Sequence, residues 1–201
     1  MNSRTGARLV FAALVIGGFA PASADDFERP PINYSQSLPD NPVSRLQERW
    51  DVEHTPPAFE PHFGYLRAVL EGLRVPESSQ TLVFSKTSMQ RHRISPETPR
   101  ALYFNDESYV GFCQAGDVLE VSVADPQLGT VFYTLDQRAD ARPRLVRQTD
   151  DCLICHASSA TRQTPGHLVR SVFVDAQGLP MLSSGTHRTD HTSPFHQRWG
   201  G

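Results

Sequence analysis

Polar and apolar positions follow two different periods along this chain of 201 residues. In the first part the spacing is that of helices. One helix is predicted from the capping pair Asn41-Pro42 and from Val43, Leu46 and Trp50, which share one face. A second is predicted at 62–74, where five apolar residues form a stripe. The N-terminal part is therefore expected to contain two short helices.

From residue 81 onward the period becomes two, which is typical of strands with one buried face. The clearest case is the stretch 118–123, where Leu119, Val121 and Val123 alternate with polar residues. The predicted strands are 81–84, 101–104, 109–113, 118–123, 130–135, 144–147, 168–174 and 179–182. The pattern predicts an α+β fold, in which a β-rich domain follows a short helical part.

The N-terminus has the layout of a secretory signal peptide. Arg4 and Arg8 precede an apolar run at 9–20, and Ala22-Ser23-Ala24 fits a cleavage site. Twelve residues are too few to span a bilayer of about 30 Å, which takes about 20, although an uncleaved anchor is the alternative. We predict a signal peptide at 1–24, a proline-rich lead-in with two short helices at 25–78, and a β-rich domain at 79–201.

Charge argues against some classes of partner. Residues 1–24 hold two arginines and no acid, so the mature chain keeps 17 basic and 22 acidic residues. No cluster of Lys or Arg suggests a nucleic-acid site or a membrane surface. We therefore expect a periplasmic or secreted protein that binds no nucleic acid and, after signal cleavage, no membrane.

The most informative stretch for chemistry is Cys152-Leu153-Ile154-Cys155-His156. Two thiols separated by two residues, with a histidine directly after the second, are typical of covalent haem c attachment. On one helical turn, each thiol can bond a different vinyl group of one porphyrin, and the histidine can ligate the iron. The motif predicts one covalent haem c, with His156 as the proximal metal ligand.

The position of this motif argues against the small all-α cytochrome c fold, which carries it near the N-terminus. Here it begins at residue 152 and lies between two predicted strands, 144–147 and 168–174. We therefore expect a haem-attachment turn inserted in a β-rich domain. The third cysteine, Cys113, lies in an apolar context and is expected to be a buried, inert thiol.

The sixth iron position decides between electron transfer and ligand binding. We favour His187 as the sixth ligand and His191 next, because a polar loop after the haem peptide could fold over the porphyrin. The other candidates are His54, His62, Met89, His92, His167, Met181 and His196. Arg170 and Arg188 are the candidates for the haem propionates, since the guanidinium fork suits carboxylates.

Three functions stay open at this stage. The first is single-electron transfer, by a module of a larger redox protein with an unknown partner protein. The second is a haem enzyme or sensor with an open iron, such as a peroxidase. The third lacks haem: Cys152, Cys155, His187 and His191 offer a structural zinc site, and the two cysteines alone could form a disulfide or a redox pair.

Several runs outside the motif resemble a family of secreted bacterial proteins with a cytochrome c domain. These runs are 85–88, 94–106, 125–136, Pro165-Gly166-His167-Leu168-Val169-Arg170-Ser171 and 188–195, and the similarity covers most of the mature chain. The resemblance implies export and haem, and it carries over only Cys152, Cys155 and His156. In that family the sequence continues beyond Trp199-Gly200-Gly201, so this chain is expected to be a fragment of a longer protein.

Overall fold

The computed structural model describes residues 26–53, 56–140, 142–190 and 192–198. The predicted signal peptide, His54, His191 and the Trp199-Gly200-Gly201 end lie outside the described residues. Within them, short N-terminal helices precede a six-stranded antiparallel sheet and a separate two-stranded sheet. The α+β prediction is confirmed.

Two helices form at the N-terminal side, as the apolar spacing predicts. Helix α1 is Pro42–Glu53, and the Asn41 side chain caps it by accepting hydrogen bonds from the backbone N–H groups of Val43 and Ser44, both at 3.1 Å. Helix α2 is Leu66–Gly72, shorter than the predicted 62–74. A tight turn closed by the Glu60–Gly64 bridge occupies the beginning of that range.

The large sheet is a meander in which each strand pairs with the next along the chain. Its strands are β1 Thr81–Val83, β2 Arg100–Phe104, β3 Ser108–Phe112, β4 Val118–Asp125, β5 Gly129–Asp136 and β6 Val146–Gln148. Six of the predicted strands therefore form, with small shifts at their ends. Antiparallel neighbours need only short connections, which explains why local turn signals were sufficient to find them.

The two faces of this sheet have different surroundings. On the first, the cross-strand row Tyr103, Val110, Val121 and Tyr133 is buried and belongs to the same apolar core as the residues of α1 and α2. On the second, Tyr109, Ser122 and Phe132 lie opposite one another on β3, β4 and β5. The second face is the one on which the Cys-X-X-Cys-His motif, residues 152–156, lies.

Beyond β6 the chain forms helix α3, Asp151–His156, and then crosses the second face. The N–H of Thr130 donates to the Pro165 carbonyl at 3.1 Å, and the N–H of Lys86 donates to the Gly178 carbonyl at 2.8 Å. The chain therefore runs from the β5 side of the sheet to the end of β1 between residues 165 and 178. On this path His167 packs on Tyr109, while His156, at the end of α3, packs on Phe132.

The small sheet corrects one predicted strand. Strand β7, Val169–Val172, pairs with β8, Thr186–Thr189, and not with 179–182. Pro180 makes only an isolated bridge, and a 3-10 turn follows at Leu182–Ser184. Apolar side chains there suggested a strand, yet Met181 and Leu182 are exposed. The stretch 183–191, predicted as a loop, contains β8.

A first prediction concerns the buried polar network below α1. Asn41 is fully buried, and its side-chain amide donates to the Asp125 carboxylate and the Tyr133 hydroxyl, each at 3.1 Å. We expect Asn41→Ala to lower the free energy of unfolding by about 2–3 kcal/mol, because it removes a cap and leaves buried partners unsatisfied. Chemical denaturation measures this change. The exposed Glu48 on the same helix is the control, and Glu48→Ala should change the free energy by at most about 0.5 kcal/mol. Equal effects would contradict the role of the network.

Candidate functional site: the Cys152–His156 helix and its surroundings

Helix α3 is anchored by a single apolar side chain. Leu153 is 8% exposed and joins the core, and Cys152 packs against that core, whereas Ile154 is 74% exposed. The N–H of Ala157 donates to the Leu153 carbonyl at 2.8 Å and ends the turn. Residues three apart on a helix are neighbours, so both thiols lie on one side of this turn. Both are free, and Cys155 is the more exposed.

His156 follows the second thiol and is held in one tautomer. Its Nδ1 lies 3.0 Å from the carbonyl oxygen of Gly166. A carbonyl can only accept, so Nδ1 carries the hydrogen and Nε2 carries the lone pair. A metal-ligating histidine usually donates its other ring N–H to a carboxylate or a backbone carbonyl in this way, which fixes the orientation of the ring. Burial lowers the pKa of His156, which favours the neutral ring that can ligate a metal.

The backbone carbonyl of His156 is also fixed. It accepts hydrogen bonds from the Gly166 N–H at 2.9 Å and from the Thr161 hydroxyl at 3.0 Å. The imidazole ring of His156 packs on the Phe132 ring, with the ring centres 4.6 Å apart. The segment between 156 and 166 is thus a closed loop tied at both ends to His156. These contacts hold the imidazole against the second face of the sheet.

A second histidine lies next to this loop. The ring of His167 packs on Tyr109, with the centres 4.7 Å apart. Its Nε2 is buried and has no hydrogen-bond partner among the described residues. Burial, and then repulsion from the protonated form of the nearby His156, lower the pKa of His167 to about 4. The ring is therefore neutral near pH 7, with an unused nitrogen inside the protein.

The predicted sixth ligand, His187, lies on β8. Its Nε2 is 3.0 Å from the backbone carbonyl of Gln197. Along β8 the side chains alternate, so His187 and Arg188 project from opposite faces of the small sheet. Ligation by His187 stays a prediction, and His191 lies outside the described residues.

The two predicted propionate partners lie side by side. Arg170 on β7 is directly opposite Arg188 on β8. The Arg188 guanidinium donates to the Ala160 carbonyl at 3.0 Å, so it contacts the loop that follows the Cys-X-X-Cys-His motif. The charge of Arg170 contributes to the lowered pKa of His156, after burial. Both arginines thus belong to the surroundings of α3, while their role toward propionates stays a prediction.

A polar cluster that the sequence reasoning missed lies on the same face. Arg100 on β2 and Glu120 on β4 form an ion pair at 2.9 Å, with side chains only 15% and 20% exposed. The Ser88 hydroxyl donates to the other carboxylate oxygen of Glu120 at 2.5 Å. The Nε of Arg100 is buried without a partner among the described residues. Alternation placed Glu120 on the polar face of β4, but only the cross-strand register reveals its partner.

The two less exposed thiols have raised pKa values. Burial, and then the charge of Glu120, raise the pKa of Cys152 to about 11. The same two causes raise the pKa of Cys113 to about 11. Reactive and metal-binding cysteines have lowered pKa values instead, so this setting does not favour a thiol–disulfide redox pair. No group of three or more metal-ligating side chains is found within the described part of the chain, which excludes His191.

This difference between the thiols gives a second prediction, for the haem-free protein at pH 8. The buried Cys113 should react with iodoacetamide roughly 100-fold more slowly than the exposed Cys155, because a pKa near 11 leaves little thiolate. The rate at Cys113 should rise as the pH approaches 11 or when the protein is unfolded. Mass spectrometry of the alkylated peptides measures both rates. Labelling of Cys113 as fast as that of Cys155 would contradict its burial.

Two cavities lie away from this site. One, of about 540 Å³, is lined by aromatic and proline side chains that include Phe63, Tyr103 and Phe112. The other, of about 350 Å³, lies beside Trp50 and Arg142. No residue of α3 lines either cavity. The chemistry of the described residues is therefore concentrated at α3 and not in these cavities.

The fold and the site define an α+β protein with a Cys-X-X-Cys-His helix packed against a meander sheet. Its helices within the described residues are all too short or too polar to cross a membrane. No protein-family model, curated protein or solved structure matches the chain.

Proposed function

We propose that this protein is an exported c-type haem protein that passes single electrons, with one haem bonded to Cys152 and Cys155 and ligated by His156. The observation that carries the proposal is the state of His156. The imidazole directly follows two free thiols on one turn, and its hydrogen bond to Gly166 leaves Nε2 for a metal. The resemblance to secreted bacterial proteins with a cytochrome c domain belongs to the same proposal.

The residues present fit a haem. The thiols form no disulfide, and the His156 imidazole is held neutral and oriented. A second buried imidazole nitrogen, Nε2 of His167, has no hydrogen-bond partner among the described residues. When bound, haem would supply reversible one-electron exchange at its iron. The chain's own groups have other tasks: α3 holds the attachment points, Gly166 fixes the tautomer of His156, and Arg170 and Arg188 offer cations near the loop.

The proposal also fixes compartment and partner class. A covalent haem of this type is joined outside the cytoplasm, in agreement with the predicted signal peptide at 1–24. The electron partner would be another redox protein or a further domain of a longer chain. No nucleic acid or membrane lipid is expected to bind after signal cleavage.

The test is a potentiometric titration of the chain produced in a host that attaches haem c. We expect the absorption to follow a reversible one-electron curve, with little peroxidase activity and little binding of carbon monoxide to the ferrous form. A colourless protein with stoichiometric zinc would replace the proposal with the structural zinc site. Rapid turnover of peroxide together with carbon monoxide binding would replace it with the open-iron enzyme.

A further inference from the structure

We infer that His167, and not His187, provides the second protein ligand of the haem iron, an inference that rests on the proposed function. Electron-transfer haems commonly have both axial positions filled by the protein, and a histidine pair is one way to fill them.

The position of His167 is tied directly to the proximal ligand. The carbonyl that accepts the His156 Nδ1 hydrogen belongs to Gly166, the residue immediately before His167. The same Gly166 donates its N–H to the His156 carbonyl at 2.9 Å. These two hydrogen bonds place the backbone that carries His167 directly beside His156, the last residue of α3.

The sheet keeps the two imidazoles apart. His156 packs on Phe132 and His167 packs on Tyr109. These aromatic residues lie on β5 and β3 at the same level, with Ser122 of β4 between them. Neighbouring strands are about 4.8 Å apart, so the backbone positions of Tyr109 and Phe132 are about 10 Å apart, with the small side chain of Ser122 between them. Because the imidazoles of His156 and His167 pack on different aromatic residues, they could ligate one metal from different sides.

The unpaired nitrogen needs a partner. Buried side-chain nitrogens in folded proteins nearly always have one, and each exception calls for an explanation. The Nε2 of His167 is such an exception among the described residues. The same nitrogen is the one that histidine commonly offers to a metal. An iron ligated at Nε2 would satisfy it.

The competing side chains are engaged or exposed. The Nε2 of His187 faces the Gln197 carbonyl at 3.0 Å. His92 lies 3.3 Å from the Asp117 carboxylate. His62 lines the cavity beside Phe63 and Tyr103, away from α3. His196 is exposed. Within the described residues, His167 is therefore the histidine that combines proximity to His156 with a buried nitrogen that has no hydrogen-bond partner.

The experiment compares His167→Ala with His187→Ala in the haem-loaded chain. Ferric electron paramagnetic resonance and absorption spectra report the spin state, and covalent haem yield is measured separately. We expect a low-spin wild type, a His167→Ala variant that turns high-spin and becomes low-spin again with added imidazole, and a His187→Ala variant that stays low-spin. A high-spin wild type, or a spin change only in His187→Ala, would overturn the inference.

Two further measurements keep the inference testable if His167→Ala folds poorly. The near-infrared magnetic circular dichroism of the wild type distinguishes two histidines from histidine and methionine, and any pair other than two histidines would overturn the inference. His167→Met should stay low-spin with a methionine-type spectrum and a higher reduction potential; an unchanged spectrum would exclude ligation by His167. Loss of covalent haem from the wild type would instead refute the proposed function.

Discussion

Replacement of both Cys152 and Cys155 by alanine is expected to abolish covalent haem attachment. Each single replacement should reduce the yield by more than roughly tenfold, because each thiol forms one of the two thioether bonds of a c-type haem. The measurement is the haem-stained band on a denaturing gel, normalised to the amount of protein. Cys155 is exposed, so its replacement should leave the fold intact. Cys152 packs against the core, so circular dichroism of the Cys152 variants is needed to show that they fold.

Cys113→Ala is the matched control for this experiment. Its thiol is buried near the Arg100–Glu120 pair, and its replacement should leave the haem yield unchanged. A covalent haem band of normal strength in the double alanine variant would contradict the attachment site. Loss of the band in all three variants would indicate a general defect in the stability of the protein.

Replacement of His156 by alanine should separate attachment from ligation. The thioether bonds do not involve the imidazole, so covalent haem should persist at a measurable level. The iron would lose its proximal nitrogen, and the ferric spectrum and the reduction potential should both change. Absorption spectra and a redox titration of the purified variant measure these effects.

His92→Ala is the control for the loss of a histidine. His92 is exposed and lies 3.3 Å from the Asp117 carboxylate, away from Gly166 and Phe132. The His92 variant should keep the wild-type spectrum and potential. An unchanged spectrum in the His156 variant would contradict its assignment as the proximal ligand, whatever the haem yield.

Local patterns were sufficient to predict most of the large sheet. Strand β4 buries the three apolar residues that the alternation predicts to be buried, Leu119, Val121 and Val123. The meander pairs sequential strands, so no long-range information was needed. The prediction of a strand at 179–182 was wrong. It was based on apolar side chains, and these side chains are exposed in the structure. Strand β8 could not be found by apolar alternation because its sequence, Thr186–Thr189, contains no apolar residue.

Only part of the candidate site could likewise be predicted from the sequence. The attachment residues are adjacent in sequence, so their spacing alone identified them. The surroundings depend on which strands are neighbours: Phe132 and Tyr109 contact the two histidines only because β3, β4 and β5 align at Ser122. His167 was one of several candidate histidines in the sequence. It is distinguished by a buried nitrogen that has no partner among the described residues, and sequence patterns do not report burial.

Covalent haem attachment is tested by the intact mass and the pyridine haemochrome spectrum of the mature protein, made in a host able to attach haem c. We expect a mass increase equal to one haem that persists on denaturation, and a haemochrome spectrum typical of two thioether bonds. A protein of unmodified mass without Soret absorption, obtained under conditions in which a known c-type cytochrome is loaded, would contradict it.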